Sequence, residues 1–397
     1  MGRILPLLFA LYFCQGLPGG FLSKALPAIL RAEGLSLTEV GFVGALSLPW
    51  MLKVLWAPLV DRYGHAGFGW RKTWLVPAQL GMLVVTASFI VVGPSDGLWL
   101  VGLLFLVLNV LAATQDIAVD GLAVDLLADR DLAPGNAAQV SGFKLGNIVG
   151  GGVLLAVIGW LGWSGAFAVM TGLIALVWIA VLTFREPPRS RPTVSLSGVL
   201  RSLLSAFRRQ GAWFWLFLVF AKFGETFGGA MVTPMLVDQN FSLPLLGVID
   251  GTVGGLATVA GAAAGGAVAW RHGWATLLAA AATLQGLALV ALGIYSQTTV
   301  TPLGYAVVGG LENAAGGAVA VGVFHLAMSW RNDEAGAAQF TAAQVVYISG
   351  SMLAYPLAGV AAEHWGYLPV MVAGGLMAIA LGVLANGPAR RLAQPAA

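Results

Sequence analysis

Charge is what this sequence has least of. Asp, Glu, Lys and Arg together make up 9% of its 397 residues, where a soluble globular domain carries roughly a quarter. That deficit excludes an ordinary water-soluble fold. Cysteine is nearly absent: Cys14 stands alone, so no intrachain disulfide can form and the redox compartment cannot be read from thiols. The chain also lacks a Gly-x-x-x-x-Gly-Lys-Ser/Thr loop, a His-Glu-x-x-His pair and a Cys-x-x-Cys pair. It therefore has no phosphate cradle with which to drive itself, and uphill work must draw on an ion gradient or a partner. No enzyme activity, cofactor or metal is expected, and nucleic acid finds no support.

Long hydrophobic runs are what the sequence has instead. Apolar residues reach 58% and the mean hydropathy is +0.86. A spanning helix needs about 20 mainly apolar residues, and cutting at charge clusters gives twelve candidates. The first six are approximately 4–30, 38–60, 73–93, 97–120, 136–159 and 163–184. The second six are approximately 212–237, 244–269, 273–295, 300–328, 336–362 and 367–387. Residues 4–30 are too long for a signal peptide, are interrupted by Gln15, Gly16 and Pro18, and show no clear cleavage site, so they read as a retained first helix.

Basic residues orient the spans. With the N-terminus inside, fifteen fall on that side: Arg3, Arg62, Arg71, Lys72, Arg130, Arg185, Arg189, Arg191, Arg201, Arg208, Arg209, Arg271, Arg331, Arg390 and Arg391. Only Arg31 falls outside. The expected fold is an all-α polytopic membrane protein of twelve transmembrane helices in two pseudo-symmetric six-helix bundles, both termini cytoplasmic. Domains are expected at 1–184 and 212–397, joined by a basic cytoplasmic linker at 185–211. Internal echoes agree: Arg62-Tyr63-Gly64 answers Arg271-His272-Gly273. Two related bundles of this kind point to a transporter with its site near the midplane.

Charges inside the spans are costly and therefore mark a cavity or a partner. The lysines are Lys24, Lys53, Lys144 and Lys222; the acids are Asp116, Asp120, Glu225, Asp250 and Glu312. Every third expected helix (the third, sixth, ninth and twelfth) carries none of these and reads as an outer brace. At 1.5 Å per residue, Lys222, Glu225 and Glu312 lie within about one turn of the midplane. Lys53, Asp116 and Lys144 lie roughly 6–12 Å towards the cytoplasm, and Lys24 about 12 Å towards the outside. Lys222 and Glu225 share a helix face, and two readings stay open: a structural pair, or one partner opposing Glu312 or substrate. Asp116 and Asp120 are also one turn apart, so one is protonated or paired with Lys53 or Lys144; a fixed network and a substrate contact are both open. Asp125, Asp129 and Asp131 read as cytoplasmic-end residues, Lys24 and Asp250 as interfacial, His325 as a helix-end histidine. Trp50, Trp56, Trp70, Trp74, Trp99, Trp160 and Trp163 read as interface anchors.

At Asp61-Arg62-Tyr63-Gly64 with Arg71-Lys72 the chain resembles the major facilitator superfamily, whose signature loop joins helices 2 and 3. The glycine usual four residues before the aspartate is replaced by Ala57-Pro58, and His65 to Trp70 stretch the basic end. Longer matches run through Tyr12-Phe13-Cys14-Gln15-Gly16-Leu17-Pro18, Leu48-Pro49-Trp50-Met51-Leu52-Lys53 and Ala113-Thr114-Gln115-Asp116-Ile117-Ala118-Val119-Asp120-Gly121. These resemble the branch holding muropeptide permeases, the acetyl-CoA transporter and bacterial siderophore permeases of the pyochelin and rhizobactin type. The length is closest to the siderophore permeases.

The resemblance implies an inner-membrane importer driven by protons. The expected cargo is an iron-siderophore or similar amphipathic organic anion, with a muropeptide as the alternative. From another class, a non-transporting membrane sensor or assembly partner would tolerate neutral substitutions at the midplane and show no substrate-dependent proton flux. Substrate contacts are expected from Gln15, Lys24, Lys53, Gln115, Lys144, Lys222 and Asn313, and proton coupling from Asp116, Glu225 and Glu312. Gating is expected from Asp61, Arg62, Gly64 and Arg71, with Asp61 accepting from a helix N-terminus when the inner gate closes. The partners expected are a small-molecule substrate, protons and the lipid bilayer, with the chain working as a monomer.

Overall fold

A lipid environment offers no water to the backbone, so a chain of long continuous apolar runs satisfies its peptide groups within helices. A computed structural model describes residues 4–65, 67–127, 132–187, 196–329 and 336–386, and among them helices dominate and no strand forms. Arg3, Asp129, Arg130, Asp131, Arg189, Arg191, Arg331, Arg390 and Arg391 lie outside the described residues. In chain order the helices are α1 (Ile4–Gly20), α2 (Leu26–Ala32), α3 (Leu37–Phe42), α4 (Leu48–Leu52), α5 (Ala57–Arg62), α6 (Lys72–Ser88), α7 (Leu98–Leu126), α8 (Leu132–Ile148) and α9 (Leu154–Thr183). Then come α10 (Leu196–Gly229), α11 (Val232–Asp238), α12 (Leu243–Leu246), α13 (Gly254–His272), α14 (Trp274–Tyr295), α15 (Pro302–Ser329), α16 (Gly336–Trp365) and α17 (Tyr367–Asn386). α10 runs through part of the segment expected as linker.

Among the described residues ten helical stretches are long and apolar enough to cross a membrane. One of them, Ala137–Thr183, is 47 residues long, about twice what a bilayer needs, and it breaks at Gly162 (φ 64°). α6, at 17 residues, is not among the ten. Local signals set several ends. Ser36 and Glu39 form a reciprocal capping box at the start of α3. α13 stops at Gly273 and α16 at Gly366, both at positive φ.

The chain divides into two compact units, each borrowing a segment from the other half of the sequence. Unit 1 comprises 1–26, 46–193 and 243–252. In it α1 packs along α8, and α6 packs against α7 and α9. Phe21, Phe89, Phe105, Trp163 and Phe167 form an aromatic knot in its core, with ring centroids as close as 4.5 Å. Three π-helical segments, 21–25, 149–153 and 247–253, also meet there. A β-carbon on Gly152 would lie 2.6 Å from the Thr252 nitrogen, so only glycine permits that approach. Unit 2 comprises 27–45, 194–242 and 253–397. α10 packs on α16 and α17, α14 on α15 and α17, and α13 on α15, while α3 lies on α16.

Candidate transport site

In unit 1 the polar residues gather on one face of α7. Asp116 and Asp120 are one turn apart, so their side chains project together. Two ionised carboxylates about 6 Å apart repel by roughly 3 kcal/mol at an effective dielectric of ~20. The structure divides their partners. Lys53 forms an ion pair with buried Asp116. The Gln15 amide, turned to satisfy both its ends, donates to Asp116 Oδ1 at 3.1 Å and accepts from the Asp116 backbone N–H at 3.3 Å. The Tyr12 hydroxyl donates to Asp120 Oδ1. Gln115 is fully buried; its Nε2 donates to the Leu11 carbonyl at 3.1 Å, and its Oε1 has no hydrogen-bond partner. The motif stretches 12–18 and 113–121 thus face each other across α1 and α7.

Unit 2 assembles a parallel set. Lys222 pairs with Glu225 along α10, and its ammonium stands 5.6 Å from the centre of the Tyr347 ring. Gln285 Nε2 donates to Glu312 Oε1 at 3.1 Å. A β-carbon on Gly316 would stand 2.8 Å from Gln285 Nε2 and 3.9 Å from Glu225 Oε1, which places the amide and both acids around one helix turn. Glu225 Oε2 and the Tyr347 hydroxyl are buried with no hydrogen-bond partner among the described residues. Unmet polar atoms of this kind are expensive in a static core and suit a site that receives a polar ligand.

The π-helical segments of unit 1 hold a third pair. Lys24 Nζ reaches both oxygens of Asp250 at 3.0 Å, and Asp250 is 2% exposed. Asp250 is therefore a buried ion-pair partner, and both residues sit on π-helical segments. Lys144 is half-buried on α8 and is not without a partner. Asn313 spends its amide inside unit 2, donating to the Gly309 carbonyl at 2.9 Å and accepting from Thr258 at 3.4 Å.

Arg71 organises the short loop. It is 4% exposed and bonds Asp61 at 2.5 Å and Asp125 at 3.0 Å. Burial opposes its charge, but the hydrogen bonds and charges of Asp61 and Asp125 outweigh burial and hold its pKa above the ordinary arginine value. A β-carbon on Gly121 would collide with the guanidinium, so a glycine in α7 makes the seat. Asp125, read from sequence as a plain helix-end residue, is half of this bond network. Gly64 lies against the Trp70 ring, whose indole donates to the Asp61 carbonyl at 3.1 Å; exposed Arg62 lies over Tyr63. Glu186 accepts from the backbone N–H groups of Arg71 and Lys72, and Lys72 Nζ donates to the carbonyls of Leu182 and Phe184. The start of α6 and the end of α9 thereby cap one another with the charge each dipole favours.

Sequence comparison places this geometry. The chain is 32% identical over 368 residues to the anhydromuropeptide permease of Escherichia coli K12, covering 91% of this chain and 74% of that one. The chain belongs to this permease family. It is a multi-pass membrane transporter of the major facilitator kind. Residues 4–96 and 95–158 also match the family model described as acetyl-coenzyme A transporter 1. Among solved structures, the D-xylose-proton symporter aligns with a TM-score of 0.76 at 14% identity, covering 96% of each chain. A peptide transporter in complex with alafosfalin aligns at 0.72 and 12%, covering 98% of this chain and 94% of that one. At such identities these two show the fold.

In this permease the residues expected to act fall into separate groups. Gln15, Lys53, Gln115 and Asp116 come together in unit 1; Lys222, Glu225 and Glu312 come together in unit 2. Lys24, Asn313 and the loop residues Asp61, Arg62, Gly64 and Arg71 have other neighbours. Four participants escaped sequence reading. Tyr12 sat inside a recognised motif without a role, and Gln285 sat in a helix counted as an uncharged brace, since a census of charges overlooks amides. Tyr347 and Glu186 carried no local signal. Trp50 and Trp56, read as anchors, donate to Asn109 and Thr114 on α7.

Proposed function

We propose that this permease imports an anhydro-sugar peptide of the muropeptide class, with its uptake coupled to protons. One observation carries the reading: the match to the anhydromuropeptide permease runs through 91% of the chain. The charges agree with it. An iron-siderophore anion calls for uncompensated cations, yet Lys24, Lys53 and Lys222 each face a carboxylate. Those pairs neutralise the positive charge on which the siderophore expectation rested. A sugar-peptide carries hydroxyls, amides, carboxylates and amines together, and paired charges beside buried amides suit that mixture. In this proposal the cargo meets Lys222, Glu225 Oε2 and the Tyr347 hydroxyl in unit 2. The twelve-span count, the inner-membrane location and the cytoplasmic termini belong to the same proposal.

The test is uptake of a radiolabelled anhydro-disaccharide tripeptide into cells stripped of their own permease, with and without this chain. Accumulation that requires the chain and collapses with a protonophore supports the reading. Uptake of a ferric siderophore alone would restore the siderophore in its place.

A further inference from the structure

We propose that Asp120, held by Tyr12, is the carboxyl that takes up and surrenders the coupled proton. The inference rests on the transport reading above and names the group that performs its coupling. The face of α7 brings together two carboxylates, Asp116 and Asp120, and one ammonium, Lys53. With all three ionised the group carries one surplus negative charge, which a single proton neutralises. The surplus falls on Asp120. Asp116 is buried and already holds Lys53 and the Gln15 amide, whereas Asp120 has only a neutral partner. Asp120 keeps exposed surface while its neighbours Ala118, Val119 and Leu122 are fully buried, so of the two acids it is the one not enclosed by the helices.

Its partner is a neutral phenol, which donates to the carboxylate and accepts from the carboxyl. Both protonation states therefore keep a hydrogen bond. The charged groups acting on Asp120 are Asp116 on its own helix, Lys53, and Arg71 before α6, itself bonded to Asp61 and Asp125. Tyr12 faces it from α1.

The step balances simply. Hydronium on one side of the membrane gives a proton to an Asp120 oxygen, forming O–H and leaving water; the group passes from a charge of −1 to neutral. Reversal on the other side releases the proton, and no electron moves. Glu312 is the competing acid, but it stands on α15 while Glu225 stands on α10, and the Gln285 amide donates to it.

Infrared titration of the full chain in lipid nanodiscs tests this without any cargo. The expected result is a protonated-carboxyl C=O band that titrates, is absent in Asp120→Asn, is shifted in position in Tyr12→Phe, and persists in Glu225→Gln and Glu312→Gln. A band that survives in Asp120→Asn, or vanishes in Glu312→Gln, would overturn the assignment. In proteoliposomes, Asp120→Asn should retain counterflow of the labelled anhydro-disaccharide tripeptide at half the parent rate or more. It should lose at least tenfold of the accumulation driven by an inward pH gradient. Undiminished accumulation, or accumulation driven by sodium without a pH gradient, would sink the proposal. If the parent chain moves no tripeptide in either assay, the transport reading falls while the infrared result still decides where the proton sits.

Discussion

The two units solve the same electrostatic problem with the same parts and different wiring. Each sets one lysine, two acids, one tyrosine and one glutamine together: Lys53, Asp116, Asp120, Tyr12 and Gln15 in unit 1; Lys222, Glu225, Glu312, Tyr347 and Gln285 in unit 2. In unit 1 both acids share α7, the amide supports the paired acid and the phenol supports the other. In unit 2 the acids stand on different helices, the amide goes to Glu312, and the phenol and one Glu225 carboxylate oxygen are left unmet among the described residues. Both sets carry one surplus negative charge when ionised; in unit 1 each acid has a partner and the unmet atom is the neighbouring Gln115 Oε1, whereas in unit 2 the unmet atoms belong to the acid and the phenol themselves. The first arrangement suits a proton and the second suits a polar cargo.

Breaking the lysine pairs is the largest test of this contrast. Lys222→Ala should be the most damaging change, because Glu225 already has an oxygen with no partner among the described residues. Removing one member of a buried pair costs about 3–5 kcal/mol, and with side chains 26% and 20% exposed a loss of roughly 2–3 kcal/mol is expected here. Melting in detergent should fall by several degrees and uptake should cease, while Lys222→Met/Glu225→Gln should recover the melting but not the uptake. Lys53→Ala should cost less, about 1–2 kcal/mol, because Asp116 keeps the Gln15 amide. Equal or greater damage at Lys53 would end the contrast.

Smaller effects sharpen it. Gln285→Leu removes the amide bonded to Glu312 and should cost about 1 kcal/mol of stability, with uptake reduced severalfold. A variant with normal uptake would show that Glu312 lies outside the working site. The two phenols should behave oppositely in thermal melts. Tyr12→Phe breaks a hydrogen bond and should lose about 1 kcal/mol. Tyr347→Phe breaks none and should change stability by less than about 0.5 kcal/mol, yet it should weaken the cargo's apparent affinity. Loss of stability at Tyr347 without any change in affinity would make that ring a packing residue alone.

Composition and spacing determined much. A charge deficit and apolar runs of about 20 residues made the chain a helical membrane protein, since of the two folds that satisfy a backbone in lipid only the helix is read from runs that long. The motif stretches around Gln15, Lys53, Asp116 and Arg71 placed it in its superfamily and marked most of the residues that meet in unit 1. The i,i+3 spacing of Lys222 and Glu225 and the i,i+4 spacing of Asp116 and Asp120 were visible because helix geometry is local and periodic.

What only the tertiary structure decided was who partners whom. Lys24 with Asp250 spans 226 positions and Tyr12 with Asp120 spans 108, distances at which no periodicity speaks. The tertiary structure also turned Lys24, Lys53 and Lys222 from offered charges into paired ones, which removes the charge argument behind a siderophore cargo. The cause is that a side chain's charge is written in its own residue, whereas its availability depends on every helix packed around it.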